Sequence, residues 1–213
     1  MKDTYYITVR PLSRLSRLFW RLRTRLSPPE TAWLNLGSGD KYVTGFINID
    51  GNIFKKKDMW LDIRHGLPFA TGSVDAIYSC HVFEHFYINE LREIMSDCFR
   101  VLRLSGGMRI LVPSLELAIH AYVQRDENWF PDFPSPFSSI GGKFCNFVFC
   151  DGQHRSTFDL SFMAELLEGI GFKRVVVSQP GKSEIFAADV LMRLEDVNQG
   201  HVRTSLSVEA YKE

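Results

Sequence analysis

The fold is decided by the stretch Trp33-Leu34-Asn35-Leu36-Gly37-Ser38-Gly39-Asp40, followed after a short loop by Ile47-Asn48-Ile49-Asp50. This pattern predicts a short apolar strand, a Gly-x-Gly turn and a second strand that ends in a carboxylate. Glycine at positions 37 and 39 allows a sharp turn and a close approach of a ligand to the backbone, because no Cβ intervenes. In α/β nucleotide sites an aspartate placed like Asp50 accepts hydrogen bonds from ribose hydroxyls. The stretch therefore indicates an α/β protein with a nucleotide site.

From residue 32 onwards the chain alternates strand and helix patterns, which is typical of a mostly parallel sheet. The expected strands cover residues 33–36, 46–49, 58–62, 74–79, 108–112, 172–178 and 205–211. The expected helices cover residues 88–104, 115–123 and 160–169, and Gly106-Gly107 is expected to end the first of them. Only Asp40–Gly45 separates the first two strands, which is too short for the usual crossover helix.

The N-terminal segment, residues 1–30, is basic. It holds seven Lys or Arg residues and two acidic residues, a net charge of +5. Residues 11–26 predict an amphipathic helix that ends before Pro28-Pro29. Its apolar side chains follow the spacing of one helical face: Leu12, Leu15, Leu18, Phe19, Leu22 and Leu26. Such a helix either contacts a membrane surface or a partner, or packs on its own domain with a solvated basic face.

Composition limits the remaining possibilities. The chain has 213 residues, 45% apolar and 23% charged, as in an ordinary globular protein. Since the net charge is zero, the rest of the chain carries −5, which argues against a nucleic-acid groove on residues 31–213. The four cysteines form no C-x-x-C pair, and neither a secretory segment nor an apolar run of bilayer length is present. We therefore expect a cytoplasmic protein, in contact with the inner membrane surface at most through residues 11–26.

Residues 126–157 interrupt the alternation with prolines and aromatics. We expect a lid or binding loop inserted in the domain of residues 31–213. Four aromatic side chains either form a wall over a flat-faced substrate or pack onto the core: Trp129, Phe130, Phe133 and Phe137.

Five motifs in order give the chain a family resemblance. They are Leu34–Asp40, Ile47–Asp50, Asp62–Phe69, Ser73–His85 and Leu102–Pro113. The set resembles the class I S-adenosylmethionine-dependent methyltransferases, specifically their type 11 branch, over residues 31–125 and more loosely over 154–178 and 204–211. The resemblance implies a Rossmann-like α/β fold: a mostly parallel seven-stranded sheet with helices on both faces and, here, a shortened first crossover.

The resemblance also implies which residues contact the cofactor, S-adenosylmethionine. They are Asn35, Leu36, Gly37, Ser38, Gly39, Asp50, Asp62, Ile63, Ser79, Cys80 and His81. The glycine turn would pass beneath the methionine part, Asp50 would accept the ribose hydroxyls, and Asp62 with the Ile63 amide would meet the adenine edge. Ser79–His81 would line the sulfonium. The glycines and the two aspartates also have structural alternatives. The glycines could form only a tight turn, Asp50 could be a strand-end cap, and Asp62 could be a plain loop carboxylate.

Candidate catalytic residues cluster after the fourth strand. If the acceptor is a hydroxyl, a general base helps to remove its proton, and histidine is suited to neutral pH. His81 is the first candidate, followed by Glu84, His85 and His154. Glu84 and His85 are alternatively a buried structural pair, and His154 a capping residue. His81–His85 also matches the H-x-x-E-H pattern of inverted zinc proteases, but its place directly after a buried strand disfavours that activity, and we expect no metal.

The sequence thus predicts an enzyme that moves a methyl group from S-adenosylmethionine to a small-molecule or glycan-type acceptor, with a sugar hydroxyl to be tested first. One alternative is an NAD(P)-dependent Rossmann oxidoreductase. Such an enzyme requires a G-x-G-x-x-G motif that leads into a helix, whereas the position of the third glycine, 42, is tyrosine here. The other is a non-catalytic cofactor-binding or scaffold protein that docks through its basic helix.

Overall fold

A seven-stranded sheet organises the computed structural model, which describes residues 2–26, 32–195 and 200–213. The strands are β1 (Trp33–Leu36), β2 (Ile47–Asp50), β3 (Met59–Trp60), β4 (Val74–Cys80), β5 (Leu102–Pro113), β6 (Arg174–Val177) and β7 (Ser205–Tyr211). The helices are α1 (Lys2–Leu26), α2 (Ile88–Val101), α3 (Leu115–Val123), α4 (Ile140–Phe149), α5 (Leu160–Ile170), α6 (Ala188–Leu194) and α7 (Gly200–Arg203). The strand order is β3-β2-β1-β4-β5-β7-β6. Neighbouring strands from β3 to β5 are parallel and β7 runs antiparallel to both its neighbours, which confirms the predicted fold class.

Alternate residues of the central strands supply two cores, one on each face of the sheet. In β4, Ile77 joins the larger core together with buried side chains of α2 and α5. Ala76 and Tyr78 point to the opposite face and join the smaller core with α6. Because both faces of the sheet are covered, the carboxyl ends of β1, β2 and β4 form the open edge where a ligand can bind.

The short first crossover is held by a polar network instead of a helix. The Asn35 side chain donates to the Lys41 carbonyl (2.9 Å) and to Asn48 Oδ1 (3.0 Å). Asn48 in turn bonds both backbone groups of Val43, at 2.9 and 3.0 Å. Val43 and Phe46 then pack in the smaller core beside α6, so α6 fills the face that a crossover helix would otherwise cover.

The glycine pair 106–107 does not end a helix, and that prediction is wrong. α2 ends at Val101, and β5 continues through both glycines. A Cβ on Gly106 would lie 2.9 Å from the carbonyl oxygens of Arg103 and Asp75, and one on Gly107 would lie 2.7 Å from Ile185. These glycines therefore permit close packing inside the sheet. The helix boundary is set earlier, where Leu102 adopts extended geometry.

The insertion of residues 126–157 contains α4, which packs on α3. Phe130, Ile140 and Phe147 form a third apolar cluster with the buried alanines of α3, and Trp129 packs against it. Phe133 and Phe137 remain 68% and 47% exposed. The four aromatics are thus divided between packing and exposure.

Helix α1 extends the predicted segment 11–26 towards the N-terminus and ends at Leu26, while Pro28-Pro29 lies outside the described residues. Within the described part of the chain, no helix is both long enough and apolar enough to cross a bilayer. No disulfide joins the four cysteines, each of which lies in the described ranges.

Candidate active site

The turn after β1 is built for close approach. Gly37 and Gly39 have φ of +62° and +51°, in the left-handed region that disfavours side chains. A Cβ on Gly37 would overlap Val82 Cγ2 at 2.3 Å, whereas one on Gly39 would meet nothing nearer than 3.9 Å. Gly37 is therefore required by internal packing, and Gly39 leaves open space above the turn.

Asp50 ties this turn to the end of β2. Its Oδ2 accepts a hydrogen bond from the Gly39 amide (2.7 Å), and its Oδ1 accepts one from the Asn52 amide (2.6 Å). The strand-end cap considered from the sequence is thus present. Each carboxylate oxygen retains a further acceptor position, so the cap is compatible with a ribose contact.

Two buried hydroxyls at the same edge lack hydrogen-bond partners. Ser38 is 5% exposed and Ser79 is 0% exposed, and neither Oγ is hydrogen-bonded within the described ranges. Ser79 pairs with Leu36 across β1 and β4, so it stands beside the glycine turn. Buried hydroxyls without partners are unusual, and a polar ligand at this edge would satisfy them. This observation fits S-adenosylmethionine, whose methionine part carries charged groups.

The side chains of three predicted cofactor contacts have partners within the protein. Leu36 is fully buried in the larger core, and Asn35 holds the crossover loop. Cys80 packs against the smaller core, and burial raises the pKa of its thiol to about 12.

Asp62 is engaged in an ion pair. It caps the turn at residues 63–65 and bonds Arg64, with Nη2 at 2.8 Å from Oδ2. Its own amide donates to Ser13 Oγ of α1 (2.8 Å), and Ile63 is buried beside it. Any adenine contact through the Asp62 carboxylate would be shared with Arg64, a residue that the sequence reasoning did not single out.

His81 lies directly beyond β4 in a strained conformation. Its φ is +55°, which is uncommon for a non-glycine residue and recurs at functional sites. Its Nε2 lies 2.8 Å from Ser205 Oγ at the start of β7, and its Nδ1 lies 3.3 Å from Glu84 Oε1. The His81 imidazole thus contacts a hydroxyl through one ring nitrogen and a carboxylate through the other. Ser205 is only 7% exposed, so it is better placed to orient the ring than to attack a substrate.

Glu84 is a buried carboxylate surrounded by histidines. It is 1% exposed, and neither oxygen has a hydrogen bond of good geometry to any described residue. Burial alone would raise its pKa, but the interaction with His81 and the charges of His85 and His154 lower the pKa below its ordinary value. Glu84 therefore stays ionised and favours a proton on the adjacent imidazoles.

His85 and His154 are held in the same way, each through a hydrogen bond between Nδ1 and a backbone carbonyl. Their Nδ1 atoms lie 3.0 and 3.1 Å from the carbonyls of Gln153 and Val148, so Nδ1 carries the proton and Nε2 is left as an acceptor. Burial is the largest cause that lowers the pKa of His154. Ligand atoms of Glu84, His85 and His154 lie within 4.8 Å of one another. This group differs from the H-x-x-E-H set, because His81 turns towards Ser205.

A cleft of about 380 Å³ opens beside His154. Its walls come from the insertion and from α2 and α5: Ile88, Val148, Phe149, His154, Arg155, Ser156, Thr157 and Phe162. The amides of Arg155 and Ser156 bond the Glu84 carbonyl at 2.7 and 3.2 Å, which fixes this wall to the turn that carries Glu84.

Ser205 was missed in the sequence because it lies 124 residues from His81 in an ordinary strand pattern. Only the pairing of β7 with β5 places it there, and no local signal marks it.

Comparisons with known proteins agree with this geometry. Residues 54–110 match the type 11 methyltransferase family, described as "Methyltransferase domain". A segment of 58 residues is 38% identical to a probable S-adenosylmethionine-dependent methyltransferase of Mycolicibacterium smegmatis. That segment covers 25% of this chain, and it spans only 22% of the relative's length.

Two solved structures resemble the whole fold. A SAM-dependent methyltransferase from Archaeoglobus fulgidus superposes with a TM-score of 0.52 at 16% identity, over 97% of this chain and 99% of that one. A chain of the complex between the Haloferax volcanii Trm112 methyltransferase activator and a putative methyltransferase gives 0.52 at 14% identity, over 99% and 95%. At these identities the likeness shows the fold alone. Together with the sequence matches, it agrees with the predicted resemblance of this chain to the class I S-adenosylmethionine-dependent methyltransferases of the type 11 branch.

Proposed function

We propose that the protein transfers a methyl group from S-adenosylmethionine to a hydroxyl of a small-molecule or glycan-type acceptor. The observation that supports this most is the position of His81 and its contacts with neighbouring side chains. His81 stands at the carboxyl end of the central strand β4, is strained into position, and is held between Ser205 and an ionised, buried Glu84.

The cofactor would be held at the ends of β1, β2 and β4. The turn of Gly37 and Gly39 would lie beneath its methionine part, and the unpartnered hydroxyls of Ser38 and Ser79 would meet its polar groups. Asp50 would use its remaining acceptor positions for the ribose. The bound cofactor supplies an electrophilic methyl group, and alignment of the acceptor with that methyl supplies much of the rate.

His81 would act as the general base. With Glu84 ionised, the His81 Nδ1–H points to the carboxylate and Nε2 is the basic nitrogen, now bonded to the Ser205 hydroxyl. An acceptor hydroxyl hydrogen-bonded to Nε2 would pass its proton to that nitrogen as its oxygen bonds to the methyl carbon. The methyl–sulfur bond would break in the same step, with S-adenosylhomocysteine as the leaving group. Glu84 stabilises the imidazolium that results, as a buried carboxylate does for a catalytic histidine. His85 and His154 complete the proposed catalytic group, since their ligand atoms and those of Glu84 lie within 4.8 Å of one another.

The experiment measures S-adenosylhomocysteine formation with a panel of sugars and other hydroxyl acceptors, comparing His81→Gln with the wild type. Loss of a general base is expected to lower kcat by about 10²- to 10⁴-fold. The affinity for S-adenosylhomocysteine, measured by calorimetry, should change little. The matched control is His120→Gln, on the exposed side of α3. Unchanged turnover in His81→Gln would refute the role of His81. If none of the acceptors tested supports turnover by the wild type, the result would favour the non-catalytic scaffold alternative.

We propose the cleft beside His154 as the acceptor site and the insertion of residues 126–157 as its lid. The cleft is bounded by Val148 and Phe149 of the insertion and by the cationic side chain of Arg155. Arg155→Ala is expected to raise KM for the acceptor about tenfold, as loss of a charged hydrogen bond does, without changing cofactor affinity. An unchanged KM would remove the cleft from the acceptor path.

The location in the cytoplasm remains a prediction. So does the division into a basic N-terminal helix, residues 1–30, and a methyltransferase domain, residues 31–213. A contact of residues 11–26 with a membrane or a protein goes with both predictions. We propose no nucleic-acid partner, since residues 31–213 carry a net negative charge.

A further inference from the structure

Helix α1 packs on the domain through its polar face. Its side chains reach backbone atoms of residues 60–68, at the edge of the sheet, over distances of 2.5–3.0 Å. The residues that make these bonds are Ser13, Ser16, Arg17 and Thr24. Trp20, on the same face, packs against the larger core. The helix is thus attached mostly by hydrogen bonds.

The apolar face of α1 points away from the domain. Five large side chains are 55–66% exposed: Leu12, Leu15, Leu18, Phe19 and Leu22. At 100° per residue they occupy a sector of about 120° centred opposite the attached face. An apolar stripe of this size is unusual on a soluble surface and marks an interaction site. The usual arrangement, in which a surface helix buries its apolar face on its own domain, is reversed.

Arginines border the stripe. Arg14, Arg21 and Arg25 fall in one row along one side of it by the same helical geometry, and Arg23 lies on the other side. All four are exposed. No acidic residue occurs between Thr4 and Pro29, so the basic character is unbroken along the exposed face.

We propose that this face of α1 binds the surface of a bilayer that contains anionic lipids. A stripe of leucine and phenylalanine bordered by arginine matches the boundary between acyl chains and anionic headgroups. The four arginines have no counterpart in a purely apolar protein groove. The rest of the chain is acidic, so the field of the protein would orient α1 towards an anionic surface. The inference is independent of the proposed methyl transfer.

The test is co-sedimentation of the full chain with vesicles of phosphatidylcholine alone and of phosphatidylcholine with 30% phosphatidylglycerol. Binding is expected only to the anionic vesicles and should weaken as salt is raised. Arg14→Gln/Arg21→Gln/Arg25→Gln should lower the vesicle affinity about 100-fold, at roughly fivefold per arginine. Leu15→Ala/Leu18→Ala should lower it at least about tenfold.

The matched control is Leu104→Ala/Met192→Ala, which removes two apolar side chains of 73% and 72% exposure elsewhere on the protein. It should bind like the wild type. Circular dichroism and thermal unfolding of every variant establish that the fold is kept. Absence of binding to anionic vesicles would overturn the proposal, as would equal losses in the control. Self-association or capture of a protein through the stripe, without vesicle binding, would also overturn it. Turnover in solution is a separate readout, so failure here leaves the proposed reaction unaffected.

Discussion

The two glycines after β1 give the sharpest test of the site, because their surroundings differ. Both have positive φ, so an alanine at either position costs about 1–2 kcal/mol of backbone strain. At Gly37 the new Cβ would also lie 2.3 Å from Val82 Cγ2, inside a packed core. Overpacking of that kind costs about 1–3 kcal/mol more.

Gly37→Ala is therefore expected to lower the free energy of unfolding by about 2–5 kcal/mol, and Gly39→Ala by only about 1–2 kcal/mol. In a Val82→Ala background the Gly37→Ala penalty should fall to the strain alone, since the overlapping methyl group is gone. Urea unfolding of the four variants and of the wild type measures these differences.

Cofactor binding should show the opposite order of sensitivity. The Cβ of Gly39→Ala enters the open space where we propose the cofactor, so its affinity for S-adenosylhomocysteine should fall at least about tenfold despite the small loss of stability. Equal destabilisation by the two alanines would refute the packing argument. An unchanged affinity in Gly39→Ala would refute the placement of the cofactor above this turn.

Three further predictions concern the buried ion pairs, the pH dependence of stability and the effect of chelators. Arg109→Met leaves two buried glutamates without their cation and should lower the free energy of unfolding by about 3–5 kcal/mol, against less than about 0.5 kcal/mol for exposed Arg92→Met. Because burial lowers the pKa of His154 from 6.5, the folded chain binds fewer protons than the unfolded chain just below that pH. The free energy of unfolding should then fall as pH drops below 6.5, and His154→Gln should make that fall shallower; an unchanged pH profile would contradict this. Chelators should leave turnover unchanged, whereas a loss restored by a divalent cation would make Glu84, His85 and His154 its site.

Most strands and helices, and the mostly parallel character of the sheet, were predictable because their determinants are local. Strand and helix patterns alternate, and the residues that end each strand lie within a few positions of it. The shortened crossover was visible as a count of residues between Leu36 and Ile47. What holds that crossover was not predictable, since Asn35 and Asn48 look like ordinary strand residues until β1 and β2 pair.

The exposed stripe of α1 shows the limit of periodicity. The pattern of leucines predicts an amphipathic helix but does not say which face meets the domain. Ser13, Ser16 and Thr24 decide that by reaching backbone carbonyls and amides about 44–49 residues away. The same applies to Arg109, whose partner Glu195 lies 86 residues further along the chain.

The account is tested most directly by a crystal structure of the protein with S-adenosylhomocysteine bound. We expect the ribose hydroxyls within hydrogen-bond distance of the Asp50 carboxylate, and the thioether sulfur beside Ser79 and His81. The His81 imidazole should face the position from which the methyl group leaves. A ligand bound away from the ends of β1, β2 and β4, or a His81 ring turned away from the sulfur, would contradict the account.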